Sequence, residues 1–342
     1  MRSFVTYLKD YLGTVSLKSL IITILLVALL IALNYSFGIE TRIRNLHPWP
    51  LALFSYFFFY GAVYFFVWGL QYRYRGVDHR SDSQKNAAGT SAPLFVSASP
   101  RGADRRRFLL FLLLAPLFFA FKMIHWDLSV LMPASWHYPW DEYAQIVGQI
   151  PLKLLALLGM LYCCWRMEGS EMPAGQGGTR SPGFYGLTSR NFNGRPYFLI
   201  LLCLVPLIAL ASTQHDFLHT YPKVKNVHIL YGYTTPVWPW KLLYELSYGL
   251  DFVSIELFFR GFLIIGLARY GGQYAILPMA AFYCTIHFGK PLGECVSSFF
   301  GGLALGVIAW RTRSILGGLI IHLGLAWLME AGGWLGGLFL RR

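Results

Sequence analysis

The chain has 342 residues, of which 56% are hydrophobic and only 13% are charged, and its mean hydropathy is +0.48. Soluble domains carry about 25% charged residues, so this composition excludes an ordinary soluble enzyme and, by its apolar content, a disordered chain. The formal charge of +13 comes from basic residues between apolar runs, which is typical of loops beside an anionic membrane leaflet. We therefore predict an all-α, polytopic transmembrane helix bundle that contacts membrane lipid and binds no nucleic acid.

Transmembrane helices need about 20 mainly apolar residues, and the sequence contains eight or nine such runs. The first run follows a long basic leader and has no small-x-small cleavage site after it, so we expect a retained helix and not a signal peptide. The fourth run is the weakest because it is short and contains Lys153. The runs lie at 17–37, 49–71, 106–123, 148–166, 196–213, 241–268, 274–289, 294–310 and 314–339.

Two polar stretches separate some of these runs. Residues 72–107 hold eight Lys or Arg residues, and residues 166–195 are rich in Gly, Ser and Arg. Neither stretch has enough large apolar side chains for a core, so we expect both to be solvated loops. By the positive-inside rule, the basic loop 72–107 predicts a multi-pass integral membrane protein with a cytoplasmic N-terminus, which in a prokaryote lies in the plasma (inner) membrane.

Ionisable side chains inside apolar runs are concentrated in the last third of the chain. A charge at the bilayer centre costs about 2.5–3.5 kcal/mol, so each such residue needs a partner or a function. Glu256 and Arg260 are four residues apart and share one helix face, where their ion pair either locks helices together or belongs to a site. His287 and His322 lie in two later runs, and each alone is also explained as a core residue. Because buried polar groups must be satisfied, we expect Glu256, His287 and His322 to meet in one cavity, where they can activate water.

The eighth run adds a carboxylate and a small-residue stripe. Glu294 stands seven residues after His287 across a short turn, so one interpretation places it opposite His287 at the rim of the same cavity. The other is structural, because a carboxylate at a helix N-terminus needs no further explanation. Ser298, Gly302 and Gly306 repeat every four residues, a spacing that lets a neighbouring helix approach closely. We expect the glycines to serve packing.

Neither a histidine pair nor the cysteines of the chain predict a bound metal. His215 and His219 have the spacing of a helical zinc pair, but no third ligand is evident nearby, so an interfacial aromatic loop is the preferred interpretation. The five cysteines form no C-x-x-C pair. We therefore predict neither a disulfide framework nor a zinc knuckle.

Three short motifs follow one another between residues 240 and 330. They read I-E-L-F-F-R at 255–260, Y-C-T-I-H at 283–287 and H-L-G-L-A at 322–326. In this order and spacing the chain resembles the CAAX protease and bacteriocin-processing (CPBP) family of membrane proteins, which includes type II CAAX prenyl endopeptidases and bacterial Abi proteins. The family pattern is E-E-x-x-x-R, F-x-x-x-H and H-x-x-x-N. The first 200 residues show no such resemblance.

The resemblance implies an intramembrane peptidase in which a glutamate activates water while histidine and asparagine stabilise the oxyanion. It implies N-terminal transmembrane helices at 1–235, a catalytic helix bundle at 236–342, and a membrane-associated or lipid-modified peptide or protein as substrate. It also implies catalysis without a cofactor, with zinc as the second choice because histidine and glutamate bind zinc. The candidate catalytic residues are Glu256, Arg260, His287, Glu294 and His322.

Two departures from the family pattern leave the mechanism open. Ile255 replaces the first glutamate and Ala326 replaces the asparagine, and loss of one oxyanion donor costs about 100- to 1000-fold in rate. Either Glu256 acts as base with Arg260 turned to another partner, or Glu294 is the base, because an ion-paired carboxylate is a poorer base. The alternative function is a non-catalytic membrane scaffold or maturation partner with the same fold. A transporter is less favoured because the chain lacks repeated halves.

Overall fold

A computed structural model describes residues 2–85, 103–168, 183–189 and 192–340. Within these ranges the regular structure is helical and contains no strand, which confirms the predicted all-α class. A π-helical segment at Leu257–Gly266 directly continues the ninth helix. The α-helices are α1 (Arg2–Thr14), α2 (Leu17–Phe37), α3 (Ile39–Arg44), α4 (Trp49–Lys85), α5 (Ala103–Met123), α6 (Trp140–Met167), α7 (Arg195–Ala211), α8 (His215–Thr220), α9 (Trp238–Glu256), α10 (Ala268–Gly271), α11 (Ile276–Thr285), α12 (Leu292–Thr312) and α13 (Leu316–Leu340).

The described residues contain five helices that are long and apolar enough to cross a membrane: α2, α4, α6, α12 and α13. A sixth span results if Arg195–Ala211 and His215–Leu230, which meet at a bend of 99°, count as one. The polytopic bundle is thus confirmed, with fewer qualifying spans than the eight or nine apolar runs. The difference has local causes, because α5 begins with a cluster of arginines and α11 has only ten residues. The sixth run is divided between α9 and the π-helical segment.

The centre of the bundle is built from the C-terminal third of the chain. Every residue of the π-helical segment and of α11 is buried. Phe119 of α5 packs against Phe258, Phe259 and Phe282 of this centre with ring centroids 5.0–5.8 Å apart. The main apolar cluster therefore joins residues from both predicted parts of the chain, 1–235 and 236–342. The boundary between these parts stays a prediction.

Both predicted loops are more ordered than expected. Helix α4 continues to Lys85 and α5 begins at Ala103, so a large part of the stretch 72–107 is helical, and 86–102 lies outside the described residues. In the stretch 166–195, a 3-10 turn at Phe184–Gly186 buries the Tyr185 ring against the π-helical segment. A Cβ on Gly266 would come within 2.6 Å of this ring, so the glycine makes room for it. The prediction that this stretch is entirely solvated is wrong at Tyr185.

The small-residue stripe of α12 serves close packing. A Cβ on Gly302 would lie 2.8 Å from the Tyr283 ring of α11. A Cβ on Gly306 would lie 2.6 Å from Met279 and 3.0 Å from Ile264. These glycines let α12 approach the buried centre.

We expect Gly306→Val to destabilise the protein by about 1–3 kcal/mol, because the added methyl groups overfill a packed interface. The matched control is Gly301→Val on the same helix, where a Cβ meets nothing within 4 Å. Thermal unfolding of both purified variants in detergent measures the difference. Equal melting temperatures for the two variants would show that α12 does not pack through this stripe.

Candidate active site

The candidate site begins where α9 passes into the π-helical segment. Glu256 is the last residue of α9, and Arg260 lies one turn later within the segment. The Arg260 Nη1 atom is 3.1 Å from Glu256 Oε1, and both side chains are completely buried. Short π-helical segments inside helices are frequent at functional sites. The ion pair predicted from the four-residue spacing is present, and Arg260 is not turned away from Glu256.

Helix α13 brings His322 to the same carboxylate. The His322 Nδ1 atom lies 2.5 Å from Glu256 Oε1, the oxygen that Arg260 also approaches. Gly318, one turn before His322, leaves the space that the carboxylate occupies, since a Cβ there would overlap Glu256 Oε2. Among the described residues, both ion-pair contacts of the carboxylate fall on Oε1, and Oε2 has neither an ion-pair contact nor a hydrogen-bond partner. The site therefore presents one oxygen held by two basic side chains and one oxygen that none of them holds.

Tyr283 of α11 is the residue at this site that sequence analysis missed. Its hydroxyl oxygen lies 2.8 Å from His322 Nε2. Its ring lies under the Arg260 guanidinium, whose central carbon is 4.3 Å from the ring centroid. The sequence feature that could have identified it is the replacement of the motif phenylalanine by tyrosine, which adds a hydroxyl to an apolar position of the second motif.

His287 is joined to the other site residues through Tyr283. It lies one turn later in the chain, and its Nδ1 atom donates to the Tyr283 carbonyl oxygen at 3.0 Å. The two rings lie edge to face with centroids 4.6 Å apart. Because Nδ1 carries the proton, the Nε2 atom of neutral His287 has a lone pair that can accept a hydrogen bond. Tyr283 thus contacts Arg260, His287 and His322.

Glu294, at the start of α12, has both carboxylate oxygens engaged. Lys290 Nζ lies 2.8 Å from Oε1, and the Tyr221 hydroxyl donates to Oε2 at 2.9 Å. His287 is close enough to Glu294 for an electrostatic interaction. Glu294 is therefore ion-paired as Glu256 is, and it also anchors the chain at Tyr221. The structure brings Glu294 to the edge of the site and not to the Glu256 carboxylate.

Two further charges within the apolar runs have structural partners. Asp251 of α9 binds Lys122 of α5, with an N–O distance of 2.7 Å. Glu330 of α13 accepts the backbone N–H groups of Lys223 and Val224 at 2.6 and 3.0 Å. These contacts connect helices and loops around the site.

The metal-like patterns of the sequence do not assemble into a ligand set in the structure. His215 and His219 lie exposed on the six-residue helix α8. No group of three or more His, Cys, Asp or Glu side chains in the described residues is placed to hold a metal ion. The five cysteines are free thiols. Catalysis without a cofactor stays a prediction.

Comparison with protein families supports the resemblance inferred from the motifs. Residues 237–328 match the family described as type II CAAX prenyl endopeptidase Rce1-like. This segment is similar to an Rce1-like domain. It contains Glu256, Arg260, Tyr283, His287 and His322. No curated protein and no solved structure matches the chain.

The family match indicates the general class of the protein. The Rce1-like family is a family of CAAX-type proteases, whose substrates are membrane-associated peptides or proteins. Together with the apolar helices, it indicates an integral membrane protein of the protease class. The finer assignment depends on the chemistry of the side chains around Glu256.

We expect Gly318→Ala to lower the melting temperature, because a Cβ at position 318 overlaps the Glu256 carboxylate and must displace it. A decrease in stability identifies the overlap with Glu256, since alanine in place of glycine within a helix otherwise stabilises a protein by about 0.5–1 kcal/mol. Gly337→Ala on the same helix α13 is the control, because its Cβ meets nothing within 4 Å. A gain in stability for both variants in thermal unfolding would contradict the position given for Glu256.

Proposed function

We propose that the protein is an intramembrane peptidase that hydrolyses a peptide bond of a membrane-associated or lipid-modified substrate, with water activated by Glu256. The observation that carries this proposal is the difference between the surroundings of the two Glu256 carboxylate oxygens. Arg260 and His322 both lie within ion-pair distance of Oε1, at 3.1 and 2.5 Å, whereas Oε2 has neither an ion-pair contact nor a hydrogen-bond partner in the described part of the chain. A fixed carboxylate with one oxygen open to a hydrogen bond has the geometry of a general base.

The reaction follows from general-base chemistry. Glu256 Oε2 accepts a proton from water as the water oxygen bonds to the peptide carbonyl carbon, and the carbonyl electron pair moves to its oxygen. The tetrahedral intermediate then collapses with cleavage of the C–N bond. Glu256 returns the proton to the departing amine, so the products are a carboxylic acid and an amine, and the carboxylate is regenerated.

Arg260 and His287 complete the proposed machinery. The Nε and Nη2 atoms of Arg260 have no hydrogen-bond partner among the described residues, so this buried cation has donors for the oxyanion. Ala326 supplies no such donor. The lone pair of His287 Nε2 orients the attacking water by accepting one of its hydrogens.

Glu256 is a better candidate base than Glu294. Both are ion-paired, but the Glu294 oxygens are already bound to Lys290 and Tyr221. Of these two carboxylates, Glu256 is the one that has an oxygen without a hydrogen-bond partner among the described residues, and it stands in the first motif of the Rce1-like segment together with Arg260. We assign to Glu294 the role of holding the chain at Tyr221 beside the site.

The complete burial of Glu256 favours a second function, a non-catalytic membrane scaffold or maturation partner. A catalytic carboxylate must meet water and substrate, whereas the exposed fraction of this side chain is 0%. Ile255 and Ala326 point in the same direction, because each removes a polar group of the family pattern. In such a scaffold the Glu256–Arg260 pair would only connect helices.

Cleavage of a prenylated CAAX peptide by the full chain in liposomes distinguishes the two functions. We expect wild-type protein to cleave it, and Glu256→Gln to lower kcat about 100- to 10000-fold, because the amide cannot accept the proton. Glu294→Gln should cause a smaller loss, since Glu294 lies at the edge of the site and both of its oxygens are already bound by Lys290 and Tyr221. Thermal unfolding of each variant shows whether the fold is retained.

Two outcomes would overturn the assignment. A folded Glu256→Gln variant with wild-type kcat removes Glu256 as the base, and a larger loss in Glu294→Gln transfers that role to Glu294. If the wild-type protein cleaves neither the prenylated peptide nor the same peptide without the lipid, the scaffold function fits the protein better. The unlipidated peptide also shows whether the lipid contributes to recognition.

A further inference from the structure

The Tyr283 hydroxyl is a buried polar group that the proposed reaction does not use. We propose that Tyr283 is a positioning residue that fixes the protonation of His322 and thereby holds the Glu256 carboxylate in place. This inference rests on the proposed function for its catalytic consequence. The arrangement itself rests on the distances around Tyr283.

The positions of Glu256 and Tyr283 on either side of His322 favour one protonation state of its ring. Neutral histidine has one N–H donor and one lone pair. The Glu256 carboxylate, whose Oε1 atom is 2.5 Å from Nδ1, can only accept a proton contact and so favours the ring proton on Nδ1. The Tyr283 hydroxyl, 2.8 Å from Nε2, then donates to that nitrogen. Tyr283 and His322 thus form a polar chain that leads to the Glu256 carboxylate.

The surroundings of Tyr283 favour its role as donor. The Arg260 guanidinium over the ring face draws electron density from the phenol and makes the hydroxyl a stronger donor. In the opposite role the hydroxyl proton would need another acceptor, which the Arg260 guanidinium over the ring cannot be, and an unpaired buried donor is costly. Gly302 on α12 and the Phe259 ring, 5.1 Å away, fix the orientation of the tyrosine ring.

Two departures from the family motifs lie on either side of His322. Tyr283 adds a hydroxyl where the motif has phenylalanine, and Ala326 removes an amide one helical turn after His322. Ala326 is buried, so the lost amide is not replaced by solvent there. The hydroxyl at position 283 supplies the polar partner of His322 in this chain.

Tyr283→Phe tests the role, since it deletes the hydroxyl and keeps the ring. We expect kcat for the prenylated peptide to fall about 10-fold, the equivalent of one neutral hydrogen bond, with KM unchanged. Tyr11→Phe is the control, because the Tyr11 hydroxyl is buried without a hydrogen-bond partner among the described residues. In the Tyr283→Phe background, Ala326→Asn should restore part of kcat by returning a polar group to the turn after His322.

Nitrogen-15 NMR of histidine-labelled full-length protein tests the arrangement without turnover. The signals of His322 among the nine histidines are assigned by their loss in His322→Gln. We expect a protonated Nδ1 and an unprotonated Nε2 in wild-type protein, and a shifted Nε2 signal in Tyr283→Phe but not in Tyr11→Phe. This result would stand even if the protein cleaves no peptide, in which case only the proposed function fails.

The inference is overturned if Tyr283→Phe matches Tyr11→Phe both in kcat and in the His322 spectrum. It is likewise overturned if wild-type His322 carries its proton on Nε2. Failure of Ala326→Asn to restore any activity would refute the compensation between positions 283 and 326.

Discussion

The buried ion pair between Glu256 and Arg260 is the constraint on which the remainder of the site depends. Neither side chain touches solvent, so each charge requires compensation from the other and from neighbouring polar groups. Three residues from other helices surround the pair. His322 approaches the shared oxygen, the Tyr283 ring covers the guanidinium, and Gly318 leaves space for the second oxygen. Removal of either charge would leave its partner uncompensated in the core.

This constraint explains why the C-terminal third forms the centre of the bundle. The π-helical segment and α11 are buried along their whole length, and earlier helices such as α5 pack aromatic side chains around them. The glycines of α12 bring that helix close to Tyr283. A charge pair, an aromatic ring and two histidines are thereby held on rigid helices in a water-poor interior, where electrostatic interactions are strong. Such an interior suits either catalysis or a stable scaffold.

The sequence predicted the features that follow from short-range spacing. The four-residue spacing of Glu256 and Arg260 places them on one helix face, apolar runs identify membrane helices, and the four-residue glycine stripe identifies close packing. Features that depend on tertiary contacts were not predictable. Tyr185 lies in a polar stretch whose composition indicates a loop, and only the glycines of a distant segment give its ring a buried position. The bond between Tyr283 and His322 joins residues 39 positions apart, and the pairing of Glu294 with Tyr221 spans 73.

A double-mutant cycle on unfolding free energy tests the buried pair most directly. The cycle compares wild-type protein with Glu256→Gln, Arg260→Met and the double variant, all in the same detergent. Each single variant leaves one buried charge without its counter-charge, whereas the double variant removes both charges. We therefore predict a coupling energy of about 2–3 kcal/mol. Additive effects, with a coupling below about 0.5 kcal/mol, would show that the two side chains do not interact and would contradict the account.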